Sequence, residues 1–243
     1  MGDNWKNEAD IFSVQLLDKV MYFRLNKSRE IEPSKAPILM LLHGHGSTIP
    51  SRFKHPQWNS IAPIDNFGCE QLGSWWLGEH DTTTLQLLDL VIESSLKSLH
   101  IRDGEERLFI YGSSMGGYGA LLHGVRYNAV AIYANVPQVQ LLGTTYSEGG
   151  MKKYFKEVIS PVNEKYNNLC LHLSTFNTHP LYFICENRFG YVNYKKEHTS
   201  KLISLLDQLD LNYHLEIIPT KGHNKNRGIN DVREFFEQYC IED

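Results

Sequence analysis

The chain has 243 residues, 42% of them hydrophobic, and a formal net charge of −4. That length suits one sizeable α/β domain, and the scattered charges give no electrostatic footprint for nucleic acid or an anionic membrane. Four isolated cysteines without a C-x-x-C pair, a polar N-terminus and no apolar run near 18 residues point away from a disulfide framework, a signal peptide and a transmembrane helix, so a soluble cytoplasmic protein is expected.

In chain order, residues 12–17 and 21–25 read as an antiparallel hairpin turning at Asp18-Lys19, followed by a polar linker over 26–35. Residues 37–42 are a continuous apolar run, the signature of a buried parallel strand, and they lead into His43-Gly44-His45-Gly46-Ser47. A further strand is expected over 60–65, although Pro63 removes a ladder donor there. A long loop follows through Gly73-Ser74-Trp75-Trp76-Leu77-Gly78. Asp81-Thr82 then caps a helix whose apolar positions Leu85, Leu88, Val91, Ile92, Leu96 and Leu99 follow the helical period.

Next come a strand over 108–111, a helix from Met115 towards Tyr127 and a strand over 129–134. Residues 137–178 are irregular, with helical pieces near 151–155 and a polar stretch over 163–168. They are expected above the C-terminal edge of the sheet as a small lid or cap insertion within one domain spanning 1–243. Strands over 181–185 and 213–218, a helix over 197–209 and a closing helix over 230–239 complete the pattern. Alternating strands and helices imply a mostly parallel sheet covered on both faces.

The segment Tyr111-Gly112-Ser113-Ser114-Met115-Gly116-Gly117 carries the chemistry. A G-x-S-x-G turn between a buried strand and a helix holds its serine in a strained, projecting conformation and aims a helix N-terminus at the reacting centre. Ser114 is therefore the candidate nucleophile. Its base is expected on the loop after the last strand, Lys221-Gly222-His223-Asn224, because of eleven histidines only His223 precedes a closing helix there. The oxyanion hole would take one amide from Met115 and a second from His45 or Gly46. Two histidines at 43 and 45 are also compatible with zinc, but without an acidic companion that is the lesser reading.

The chain order Ser, acid, His asks for a carboxylate after the strand ending at Cys185. Glu186 is the nearest, Glu197 the next, and a Ser-His dyad without an acid is the third option. Trp75, Trp76 and Tyr118 are either pocket residues able to stack on a sugar ring or core residues. Asn135 and Gln138 either offer amides to a substrate or shape a turn.

These blocks resemble the α/β-hydrolase superfamily. Tyr111 through Leu122, Ala134-Asn135-Val136-Pro137-Gln138, Gly73 through Gly78, and Gly222-His223 followed by Arg233-Glu234-Phe235-Phe236 look more narrowly like a bacterial branch. That branch includes capsular polysaccharide O-acetyltransferases and the acetyltransferase-like component of accessory secretion systems. The resemblance implies an α/β-hydrolase fold, an acyl-enzyme on the serine, acetyl-CoA as donor with no metal, and a sugar hydroxyl as acceptor. It also implies an aspartate near the position of Arg188-Phe189, where this chain has none. Two other functions remain open: a carboxylesterase or carbohydrate deacetylase using the same residues, and a non-catalytic hydrolase-like protein that binds a glycan or protein partner.

Overall fold

A computed structural model describes residues 3–102, 104–187, 193–220, 222–223 and 227–241. Eight strands form one sheet: β1 (Ile11–Leu16), β2 (Lys19–Asn26), β3 (Ile38–Leu42), β4 (Asn59–Pro63), β5 (Leu108–Ser113), β6 (Ala131–Asn135), β7 (Leu181–Asn187) and β8 (Tyr213–Ile218). Their spatial order is β1-β2-β4-β3-β5-β6-β7-β8. From β4 to β8 every pair is parallel, while β1 and β2 form the expected antiparallel hairpin, which joins the sheet by antiparallel pairing of β2 with β4.

Strand alternation separates two cores. Ile38, Met40, Leu42, Ile110, Ile132 and Ile184 face the helices α1 (Thr83–Leu99), α2 (Met115–Arg126) and α6 (Thr199–Gln208). Leu39, Leu41, Phe109, Tyr133 and Phe183 face the opposite way, where Val232 and Phe236 of α7 (Ile229–Cys240) cover them. The central strands β3, β5 and β6 are buried along their whole length, which is why their sequences are continuously apolar rather than alternating.

The strand expected at 60–65 starts one residue earlier and stops at Pro63. The proline is tolerated because it ends the strand, and the next amide, Ile64, donates to the Tyr22 carbonyl at 2.9 Å. The helix expected over 197–209 is broken at His198 into α5 (Tyr194–Glu197) and α6. The break lets the buried His198 ring turn inward, where Nδ1 accepts the Val139 amide at 3.3 Å.

The irregular segment after β6 contains α3 (Lys152–Val158) and α4 (Leu169–Leu173). It is seated by backbone and side-chain bonds to neighbouring loops: the His80 amide donates to the Glu157 carbonyl at 2.8 Å, and Asn163 Nδ2 to the Asp81 carbonyl at 3.0 Å. Tyr118 is buried, and its hydroxyl donates to the Tyr166 carbonyl at 2.7 Å.

Candidate active site

Ser114 lies between β5 and α2 with φ 58° and ψ −115°, a left-handed conformation that a non-glycine residue adopts only under strain. The strain is locked in place. The Ser114 amide donates to the Asn135 carbonyl at 2.9 Å, and its carbonyl accepts the Tyr118 amide at 3.0 Å. Glycine is obligatory on both sides: a Cβ on Gly112 would stand 1.9 Å from the Gly116 oxygen, and one on Gly116 would stand 2.0 Å from the Leu42 oxygen.

The loop after β3 lies alongside. A Cβ built on Gly44 would be 3.2 Å from the Ser113 oxygen and 4.0 Å from the Ser114 Cβ, so this turn brackets the serine. Gly46 N–H is committed to the Leu72 carbonyl at 2.8 Å, which removes it as an oxyanion donor and corrects that expectation. The amides of His45 and Met115 have no backbone acceptor among the described residues, and Met115 opens α2, where first-turn donors are unspent.

The two histidines of the turn are held apart. His43 Nδ1 donates to the Gly44 carbonyl at 2.8 Å and Nε2 accepts the Asp65 amide at 2.8 Å, whereas the His45 ring lies flat on Trp75 at 5.4 Å. That arrangement spends both His43 nitrogens within the protein and does not suit a shared zinc. Among the described residues no three His, Cys, Asp or Glu side chains gather as a metal cluster.

Gln138 is the residue that touches the serine. Trp75 Nε1–H, which can only donate, points at Gln138 Oε1 at 3.2 Å and so fixes which end of the amide is oxygen. Gln138 Nε2 then donates to Ser114 Oγ at 3.0 Å and to the Tyr194 hydroxyl at 3.2 Å. Because Ser114 Oγ accepts from Gln138, its own proton is left to be given elsewhere.

His223 stands at the same corner: its ring is 5.7 Å from Tyr194 and edge-to-face with it, and 5.9 Å from Tyr146 and near-parallel to it. Asn187 Nδ2 holds its loop through the Gly222 carbonyl at 2.6 Å. Burial pulls the His223 pKa down to about 4, so the imidazole is neutral near pH 7.

The two carboxylates expected as orienters look elsewhere. Glu186 is fully buried, accepts from the Thr199 hydroxyl and, at 3.0 Å, from the Asn187 amide, and burial raises its pKa. Strand parity explains this, since Glu186 shares the face of Ile184 and Tyr182, towards α6. Glu197 accepts from Thr145 N at 2.9 Å and from Thr145 Oγ1 at 2.7 Å. The position near Arg188-Phe189 lies outside the described residues, as do Lys221 and Asn224.

Other expectations are corrected by burial. Trp75 and Trp76 are 0% exposed and offer no open face to a sugar. They are drawn inward by Asp65, a buried carboxylate that accepts the Trp76 amide, the Ser74 amide and the Ser74 hydroxyl, each at 2.9 Å. Tyr118 is core, and Asn135 Nδ2 is spent on Ser113 Oγ at 2.9 Å rather than on a substrate. Sequence reasoning missed Tyr146, Tyr194 and Asp65. The tyrosines carry no motif, and Asp65 reads only as a strand end.

No protein-family model matches the sequence. No curated protein matches it either. Among solved structures, it is similar to the capsule O-acetyltransferase of Neisseria meningitidis serogroup A, at 19% identity over 96% of this chain and 95% of that one, with TM-score 0.69. A histidine-to-alanine form of that enzyme in complex with CoA matches at 19% identity over 99% and 100%, with TM-score 0.68. An S-formylglutathione hydrolase from Agrobacterium tumefaciens matches at 14% identity over 95% of both chains, with TM-score 0.71. The chain has the α/β-hydrolase fold: a mostly parallel eight-stranded sheet with helices on both faces and a short N-terminal hairpin.

Proposed function

We propose that this protein is a serine O-acyltransferase that takes an acetyl group from acetyl-CoA onto Ser114 and passes it to a hydroxyl of a bacterial surface polysaccharide in the cytoplasm. The observation that carries the reading is the strained Ser114, with Gln138 on its oxygen and unspent His45 and Met115 amides beside it. The CoA complex of a structural neighbour supports the donor, and the likeness to a capsule O-acetyltransferase supports the acceptor.

In this mechanism Ser114 Oγ attacks the thioester carbon while its proton passes to neutral His223. The C–S bond breaks, His223 returns the proton to the leaving thiolate, and Ser114 carries the acetyl group. The His45 and Met115 amides hold the oxyanion in both half-reactions. His223 then takes the proton of the sugar hydroxyl as its oxygen attacks the acyl carbon, and restores it to Ser114 as the ester leaves. A buried, neutral imidazole is the form that each deprotonation requires. Glu186 supports the end of β7 next to the His223 loop, and Gln138 orients the serine.

The test uses purified protein, labelled acetyl-CoA and a panel of capsule oligosaccharides beside Ser114→Ala. Label transfer to sugar that vanishes in Ser114→Ala is the expected result. Acetate release indifferent to every sugar would assign the esterase reading, which the S-formylglutathione hydrolase neighbour favours. A fluorophosphonate that leaves Ser114 unlabelled, with neither reaction seen, would leave a binding protein.

A further inference from the structure

Residues 145–155 form a strap that touches both halves of the proposed machinery. At one end Tyr146 lies near-parallel to the His223 ring at 5.9 Å and meets Tyr194 edge-on at 5.2 Å. Eight residues on, Tyr154 meets the His45 ring edge-on at 4.4 Å, and Phe155 meets Trp75 edge-on at 4.7 Å. His45 is thereby held between the flat face of Trp75 and the edge of Tyr154.

The strap is anchored outside these rings. Thr145 gives both its amide and its hydroxyl to Glu197 Oε2. Lys153 Nζ pairs with Glu70 Oε1 at 2.6 Å, and the Tyr154 hydroxyl reaches Glu70 Oε2 at 3.3 Å. Between the anchors the chain bends at Gly150, with φ 127°.

We infer that Tyr146 and Tyr154 are positioning residues, through which one strap holds the base and the oxyanion turn in register over Ser114. The inference rests on the roles proposed above for His223 and His45. Neither tyrosine needs to touch the reacting atoms. Each packs against a ring of the proposed machinery, and catalysis is sensitive to displacements of about 1 Å. Aromatic contact of this kind depends on the ring rather than the hydroxyl. Glu197 and Glu70 act at the strap's anchors.

The experiment follows hydrolysis of 4-nitrophenyl acetate and labelling of Ser114 by a fluorophosphonate. Tyr146→Ala and Tyr154→Ala are each expected to lower kcat about tenfold or more with KM within about twofold. The Phe variants should restore most of kcat. In the double Ala variant the loss should be smaller than the product of the single losses, because one strap is already released. Glu70→Ala and Glu197→Ala, at the surface, should lower kcat about twofold to fivefold, as weakened anchors would.

Unchanged kcat in both Ala variants, a loss confined to KM, no rescue by Phe, or strictly multiplicative losses would each overturn the strap. An Ala variant that melts below the assay temperature is replaced by the matching anchor variant, whose kcat then decides. If instead Ser114→Ala retains turnover, it is the nucleophile assignment that fails, independently of either tyrosine.

Discussion

Ser114 holds its conformation because its neighbours leave no alternative. A Cβ at Gly116 would sit 2.0 Å from the Leu42 carbonyl and 2.8 Å from that of His43, both backbone atoms at the end of β3. Gly116→Ala therefore has to push β3 and α2 apart. Such overpacking against backbone is expected to cost about 3 kcal/mol or more and to lower acyl transfer further than stability alone explains. Urea denaturation beside a fluorophosphonate labelling rate checks it: a variant with native midpoint and labelling would show that the turn yields. Gly46 differs: a Cβ there meets nothing within 4 Å, so only its φ of +83° resists substitution. The serine and its glycines were legible in the sequence because their geometry is local. Which amide of the proposed oxyanion turn is committed was not, since Gly46 donates to Leu72, some 26 positions away.

The element that sequence patterning conveys least is the loop joining β4 to α1. Glu70, Gln71, Trp75, Trp76 and His80 all have positive φ, a costly concentration in residues with side chains. Asp65 compensates from inside: its carboxylate collects the Ser74 and Trp76 amides, the Ser74 hydroxyl and, at 3.4 Å, the Phe67 amide. Trp75 is left aimed at Gln138. Strands and helices were legible because their periodicities need no partner, whereas this loop is organised by one buried carboxylate acting across nine to eleven residues. That is why Trp75 and Trp76 read equally well as sugar platform or core. Asp65→Ala leaves the buried Ser74 and Trp76 amides without that acceptor, a loss of about 3 kcal/mol or more. It should also slow turnover, because Trp75 no longer fixes the Gln138 amide. Asp65→Asn keeps one acceptor oxygen and is expected to fall between. Thermal denaturation and 4-nitrophenyl acetate kinetics on both variants test this, and wild-type values for Asp65→Ala would refute it.

Across the whole molecule, burial sets how stability varies with pH. It holds His123 well below the usual imidazole value, His198 at about 3, and His172 and His223 at about 4. Each is neutral in the native state but free to take a proton near pH 6.5 once unfolded, so the unfolded chain binds more protons as the solution is acidified. The stability these histidines contribute is present above pH 6.5 and is lost as pH falls towards 4. At pH 5 the withdrawal is about 2 kcal/mol for each deeply buried imidazole. Asp65, raised to about 6, works in the opposite sense, because the native carboxyl takes its proton before the unfolded one; it offsets about one of them. Glu186, also raised by burial, acts in the same sense as Asp65; the histidines outnumber these two carboxyls, so the melting temperature is expected to fall from pH 7 to pH 5, with net proton uptake on unfolding. His123→Gln should flatten that slope, since His123 is buried on α2 with Nε2 at the Trp76 carbonyl, 3.2 Å away, and lies outside the proposed machinery. A melting temperature that is level or rising over this interval would mean that the buried imidazoles reach solvent in the native state.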